Sequence, residues 1–270
     1  MTGRPRETEP GRYVGLHALG AGLRFQLLAL RGQADTYFSL LSAPFYTLIF
    51  LSVMEYSGRT DLNGHAVIAP MLITVWTAAL MFSGEMISED RENRRIESLV
   101  ATTASFPLLV VGRLTACMLL AVPSFVASYL VAGGLFGYWL TIGHPVLFAV
   151  ALLLTMFGTA GAATALSALF VLAPSARIVQ NTLSFPMFLL GGVLVPVSFF
   201  PAWLEALSRV VYLSWASDLL RAAVGPEAVE HGAARAAMVF LLGGVTLAFG
   251  LVFIHRFLRR ARAVGALSLD

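Results

Sequence analysis

The chain has 270 residues, of which 58% are hydrophobic and 12% charged, and its mean hydropathy is +0.80. A soluble globular domain is about 45–50% apolar, so this composition excludes one and implies an integral membrane protein. The net charge of +3 rests on arginine, because all 18 basic residues are Arg, and nothing in their distribution points to a nucleic-acid partner.

Met1–Arg12 is polar and reads as a tail. Met1–Gln33 lacks a continuous apolar core and a small-residue cleavage site, so no cleavable signal peptide is expected and the N-terminus is placed in the cytoplasm. Leu16, Leu19, Leu23, Leu27 and Leu30 follow helical spacing, with Arg24 and Arg31 positioned to meet lipid phosphates. That pattern predicts an interfacial helix on the cytoplasmic surface.

The first predicted span is Tyr37–Met54, which contains Pro44 and is just long enough to cross a core of about 30 Å at about 1.5 Å per residue. Glu55–Gly64 is a polar turn. The second span, Ala66–Ile87, carries Glu85 in its last turn, read as an interfacial carboxylate reaching water. A third span runs from Pro107 to Tyr138. It is longer than one crossing requires and therefore tilted or bent, with Pro123 as a kink and Arg113 snorkelling to the headgroups. Thr141–His144 is a short connection, so the helices around it are antiparallel neighbours, and His144 reads as a loop histidine.

The fourth span, Val146–Leu172, holds Gly158, Thr159, Gly161, Ala162, Ala163, Thr164 and Ala165. Small residues let helices approach closely in lipid, so this is a packing helix. After a turn at Ala173–Arg177 come a fifth span, Ile178–Val195, and a sixth, Ala236–Ile254, followed by Arg256, Arg259, Arg260 and Arg262. Six crossings leave both termini on one side. Only Arg59, Arg209, Arg221 and Arg235 fall on the opposite side, so the arginine bias places both termini in the cytoplasm.

Between the second and third spans lies the densest charge cluster of the chain: Glu89, Asp90, Arg91, Glu92, Arg94, Arg95 and Glu97. Each such charge at the bilayer centre would cost about 2.5–3.5 kcal/mol on insertion scales, so the segment lies outside the hydrocarbon, tethered at both ends. Ile96, Leu99, Val100 and Thr103 form one mostly apolar stripe, and Asp90–Arg94 and Arg94–Glu97 could brace the helix by about 0.2–0.5 kcal/mol each. A short amphipathic helix along the membrane face is predicted. A solvated loop that only sets topology fits the same residues.

This segment resembles the cytoplasmic coupling segment in membrane subunits of type-2 ABC transporters, the permeases related to daunorubicin-resistance and polysaccharide exporters. The acidic-basic run is Glu89–Glu92, followed by Glu97, Leu99 and Val100, Thr102, and the closing pair Gly112-Arg113. Arg94 and Arg95 stand where the family usually has glycine and threonine, and Thr103 where it has proline. A second stretch is similar to the same family. Phe185-Pro186, Gly191-Gly192, Pro196, the run Phe199-Phe200-Pro201-Ala202-Trp203-Leu204, Ser214-Trp215-Ala216 and Asp218-Leu219-Leu220-Arg221 follow its order, with Tyr212 in place of a frequent proline.

The resemblance implies an all-α membrane protein: six transmembrane helices, an N-terminal interfacial helix, a cytoplasmic coupling helix, and an outer re-entrant hairpin between the fifth and sixth helices. The tail and interfacial helix cover 1–35, the transmembrane domain 36–262 with coupling segment 88–105 and re-entrant segment 197–225, and a C-terminal tail 263–270.

No enzyme constellation is present. The chain has no lysine, hence no standard phosphate-binding loop for ATP. No HExxH pattern occurs, and the single Cys117, read as a small buried hydrophobe, excludes a disulfide framework or a zinc site built by this chain alone. Acidic groups at mid-span are few, with Asp35 and Glu85 both at helix ends. The energy source must therefore be external. The resemblance implies the permease half of an ABC exporter in the cytoplasmic membrane of a bacterium. It would pair with a second permease chain, as homodimer or heterodimer, and with two ATPase subunits that hold ATP and magnesium, while this chain binds neither metal nor cofactor.

In that frame the ATPase-coupling residues are Glu89, Arg91, Glu92, Arg94, Arg95, Glu97 and Leu99. Thr77, Met81, Phe185, Met187 and Phe188 line the path, and Phe199, Phe200, Trp203, Trp215, Asp218 and Arg221 form the outer gate. The apolar wall favours a hydrophobic drug or lipid-like metabolite, with a lipid-linked polysaccharide as the alternative. An ion-coupled carrier would need mid-span charges and repeat symmetry, and neither is visible. A non-transporting scaffold leaves both motifs unexplained.

Overall fold

The computed structural model describes residues 11–29, 34–58, 63–92, 106–120, 122–172 and 176–264. Among them every regular element is helical and none is a strand. Among the described residues the α-helical stretches are, in chain order, α1 Gly11–Ala29, α2 Ala34–Ser57, α3 Asn63–Glu92, α4 Phe106–Leu120, α5 Val122–Phe136, α6 Pro145–Leu172, α7 Ala176–Leu190, α8 Ala202–Ser208, α9 Tyr212–Val224 and α10 Gly232–Val264. A 3-10 turn at Val197–Phe199 precedes α8.

Helices are what such apolar runs must form in lipid, because every backbone N–H and C=O needs a partner within its own segment. Among the described residues four stretches are long and apolar enough to cross a membrane: Gly64–Gly84, Leu108–Phe136, Pro145–Phe170 and Gly232–Arg256. Ile178–Leu190 is apolar but shorter.

α3 is the centre of the arrangement. It packs against α2, α4, α5, α6, α7 and α9, and its apolar stretch is 89% buried. One core cluster joins Val67, Met71, Val75 and Phe82 of α3 to Leu114 and Met118 of α4, and a second joins Ile68, Leu72 and Trp76 to Leu213, Leu219 and Leu220 of α9. The most extensive pairing is α6 with α10. There a Cβ on Gly161 would stand 2.5 Å from the Gly243 carbonyl oxygen, and one on Gly250 2.6 Å from the Ala165 nitrogen. The small residues of the fourth predicted span thus bring two helices to backbone contact.

Several boundaries differ from the sequence reading. α3 does not end with the second predicted span at Ile87 but continues through Glu92, since a helix with internal hydrogen bonds carries its charges out of the apolar zone without breaking. The third span is helical over Phe106–Leu120 and Val122–Phe136, and residue 121 between them lies outside the described residues. The fifth span stops at Leu190 instead of Val195, because Gly192 adopts φ +61, a left-handed conformation that ends helices and suits glycine.

α1 is docked along α4, and this corrects the reading of Arg113. Ala18, Gly22 and Gln26 form the buried stripe of α1. A side chain on Gly22 would run into the Leu109 carbonyl and one on Gly112 into the Leu19 carbonyl. Arg113 does not snorkel to headgroups. It is 3% exposed, its Nε donates to Gln26 Oε1 at 2.8 Å, and its guanidinium lies 5.1 Å from the Phe25 ring centroid. The α1 helix brings an acceptor and a ring face within reach, so the charge turns inward between two helices.

Candidate functional site: the α3 and α7 stripes and the cap of α7

The coupling residues divide at the end of α3. Glu89, Arg91 and Glu92 lie on the last turns of its backbone, beyond Gly84, while Arg94, Arg95, Glu97 and Leu99 fall outside the described residues.

The wall candidates occupy two helix faces. Every residue from Ala66 to Gly84 is buried except Thr77 and Met81. These are four apart and therefore share one face of α3. On α7, Ile178 is 68% and Phe185 67% exposed, seven apart on one face, whereas Met187 and Phe188 are half-buried and pack against the cluster around Ile68, Trp76 and Leu213. Gln180, only 4% exposed, turns the other way, and its Nε2 donates to the Leu80 carbonyl at 2.9 Å. α3 and α7 thus present accessible, mostly apolar stripes beside a hydrogen-bonded seam.

At the other end of α7 the chain turns through Gly191–Val195, and the carbonyls of Leu190 to Leu194 are taken up one by one. Ser208 Oγ donates to Leu190 O, Ser217 Oγ to Gly191 O at 2.8 Å, Arg221 Nη2 to Gly192 O at 2.5 Å and to Val193 O at 3.2 Å, and His65 Nε2 to Leu194 O at 3.1 Å. The last carbonyls of a helix lack intrahelical partners, and in an apolar setting each needs a substitute donor. Serines and an arginine on α8 and α9 supply most of them, and α3 supplies the last.

Trp215, Asp218 and Arg221, predicted from sequence, meet in one network. Asp218 Oδ2 receives Arg209 Nη1 at 2.6 Å, and its Oδ1 lies 3.9 Å from Arg221 Nη1. The Arg209 guanidinium stacks 4.9 Å over the Trp215 ring, Trp215 Nε1 donates to the Arg209 carbonyl at 2.9 Å, and Glu205 adds an exposed ion pair at 3.5 Å. Burial lowers the Arg221 pKa to about 10 against the opposing pull of Asp218, so the group stays charged at neutral pH. Phe199 and Trp203 are 72% and 70% exposed, and Phe200 is half-buried. No hydrogen bond or ring contact among the described residues brings these three into the network.

The far end of α9 is sewn to the turn before α6 by Gly143 N–H to Val224 O at 3.3 Å and His144 N–H to Ala223 O at 3.0 Å. Its near end is fixed by the Tyr212 hydroxyl, 2.9 Å from Thr159 Oγ1, with the ring seated over Gly158.

Glu205, Ser217, His65 and Gln180 were not singled out from sequence, and Arg209 only for its place in the arginine distribution. The available signal was a polar residue at or near the end of an apolar run, which in a membrane helix demands a partner. His65 and Gln180 both carry that signal. Among the described residues no group of His, Cys, Asp or Glu could hold a metal ion, and the arrangement offers a wall, a seam and a capped end without a nucleophile beside a base.

No curated relative matches the chain. A sequence model of the family described as ABC-2 type transporter matches residues 20–224, more than half of the chain. That span runs from within α1 to the last residue of α9, so the second half of the docked helix, the α3 and α7 stripes and the α8–α9 network lie inside it. With its apolar helices long enough to cross a membrane, the chain belongs to the ABC-2 type transporter family, as the membrane permease component of an ABC-type transporter.

Proposed function

We propose that the chain is the permease subunit of an ATP-driven exporter, moving a hydrophobic drug or lipid-like metabolite out across a bacterial cytoplasmic membrane. The observation that carries this reading is the pair of accessible stripes, Thr77–Met81 on α3 and Ile178–Phe185 on α7, inside the family-matched region. Apolar surface of that kind suits an apolar cargo. The crossings are α2, α3, the α4–α5 pair, α6, α7 and α10, with both termini cytoplasmic and α8–α9 capping the outer end. The domain limits proposed with them are 1–35 for the tail and interfacial helix, 36–262 for the transmembrane domain and 263–270 for the C-terminal tail.

Two permease chains, identical or related, flank the path, with Met187 and Phe188 behind the accessible stripes and Phe199, Phe200, Trp203, Trp215, Asp218 and Arg221 at its outer end. Two ATPase subunits, which bind ATP and magnesium, dock on the end of α3 and the segment that follows it. The contacts are made by Glu89, Arg91, Glu92, Arg94, Arg95, Glu97 and Leu99. Glu97→Arg should weaken docking by reversing a partly desolvated charge, and Leu99→Asp by placing a carboxylate in an apolar stripe at a cost of about 2–4 kcal/mol. Both variants should insert and dimerise. Co-purification of the ATPase and substrate-stimulated ATP hydrolysis in lipid, compared with wild type, measure the effect. Undiminished docking and coupling in both variants would reduce the segment to a solvated loop and remove the mechanism's support.

A further inference from the structure

α3 and α7 run antiparallel and are joined near each end by one polar side chain. At the outer end His65 meets the Leu194 carbonyl at 3.1 Å. A carbonyl can only accept, so the imidazole carries its proton on Nε2. Its Nδ1 is buried with no hydrogen-bond partner among the described residues, so this ring is attached through Nε2, to the Leu194 carbonyl with the Val193 backbone beside it. At the other end Gln180 Nε2 donates to the Leu80 carbonyl at 2.9 Å and also reaches Met81 O at 3.5 Å.

Along α3 the two bonded positions, 65 and 80, are about 22 Å apart at the rise of an α-helix. Along α7 and the turn after it, 180 and 194 are separated by nearly the same number of residues. The two bonds therefore bracket Thr77 on one side and Phe185, Met187 and Phe188 on the other. The Leu190–Val193 carbonyls are bonded from α8 and α9, and Leu194 is the member of the series that reaches α3.

We propose that His65 and Gln180 are positioning residues that clamp α3 and α7 of one chain into a single rigid wall, so that the path opens by movement of the wall as a unit and not by parting of α3 from α7. This rests on the reading of α3 and α7 as the wall of the path.

The test uses the isolated permease in phosphatidylethanolamine–phosphatidylglycerol vesicles and two thiol reporters. Val193, fully buried beside the outer bond, is replaced in Val193→Cys, and native Cys117, 1% exposed in α4, reports on the rest of the fold. N-ethylmaleimide labelling of each is followed by peptide mass spectrometry. His65→Leu should raise labelling at 193 roughly three- to twentyfold, the range that the loss of one hydrogen bond between membrane helices permits. His65→Gln, which retains a donor, should restore protection. Gln180→Leu alone should leave position 193 protected, while His65→Leu with Gln180→Leu should label faster than the product of the single effects. Sites this far apart with no shared partner ordinarily act independently, so that excess is the signature of a two-point clamp. Cys117 should stay protected in every variant.

Purely multiplicative effects, continued protection of 193 in His65→Leu, or Cys117 labelling in parallel would each overturn the clamp. The assay needs neither nucleotide nor substrate, so its outcome is separate from the ATPase co-purification that tests the permease reading.

Discussion

Asp218 holds two arginines with one carboxylate, and its charge is what lets Arg209 and Arg221 share a half-buried cap. Asp218→Asn keeps the shape and loses the charge. It should lower stability by about 1–2 kcal/mol, less than a fully buried pair would cost because the network is partly exposed, and the fall should appear in thermal unfolding of the purified protein in micelles. Glu205→Gln, on the exposed arm, should change it by less than about 0.5 kcal/mol. The sequence showed Trp215, Asp218 and Arg221 as a motif because they lie close together on one helix. Their partner Arg209 was legible only as a topology marker, since its stacking on Trp215 depends on how α8 meets α9. Arg113 was misread for the same reason. Its acceptor, Gln26, lies 87 positions away in sequence, on a helix whose buried stripe is small, not strongly apolar, and so gave no sign of docking.

At the scale of elements, long apolar runs made most helices legible, and what escaped was where they end and what they touch. α7 stops where a glycine takes a positive φ, and α3 runs on through charge, because helix ends are set by caps and glycines as much as by hydropathy. The α6–α10 pairing was foreshadowed by the small residues of the fourth span, though not its partner. Gly161→Leu should force the two backbones apart at Gly243 and destabilise the protein by about 1–3 kcal/mol, whereas Gly244→Leu, where a Cβ meets nothing within 4 Å, should be tolerated. Unfolding midpoints of the two variants in the same detergent separate these outcomes.

For the molecule as a whole, the arginine distribution predicts that residue 93 faces the cytoplasm and that Gly58, Gly143 and Glu227 face outward. Cysteine accessibility in a Cys117-free background checks it, and strong labelling of residue 93 from outside the cell would refute six crossings. The lack of lysine predicts that the purified chain binds no ATP until an ATPase subunit is added. Equilibrium dialysis with labelled nucleotide would detect any binding. The length of α10 carries the remaining consequence. Its 25-residue apolar stretch measures about 37 Å and the 26-residue stretch of α6 about 39 Å, while bilayer hydrocarbon is about 30 Å thick. The two are locked at Gly161 and Gly243 and cannot adjust separately, so hydrophobic mismatch acts on them as one body: they lean together in thin membranes and stand straighter in thick ones. Acyl-chain length of the host lipid thereby becomes a handle on the inclination of this half of the protein.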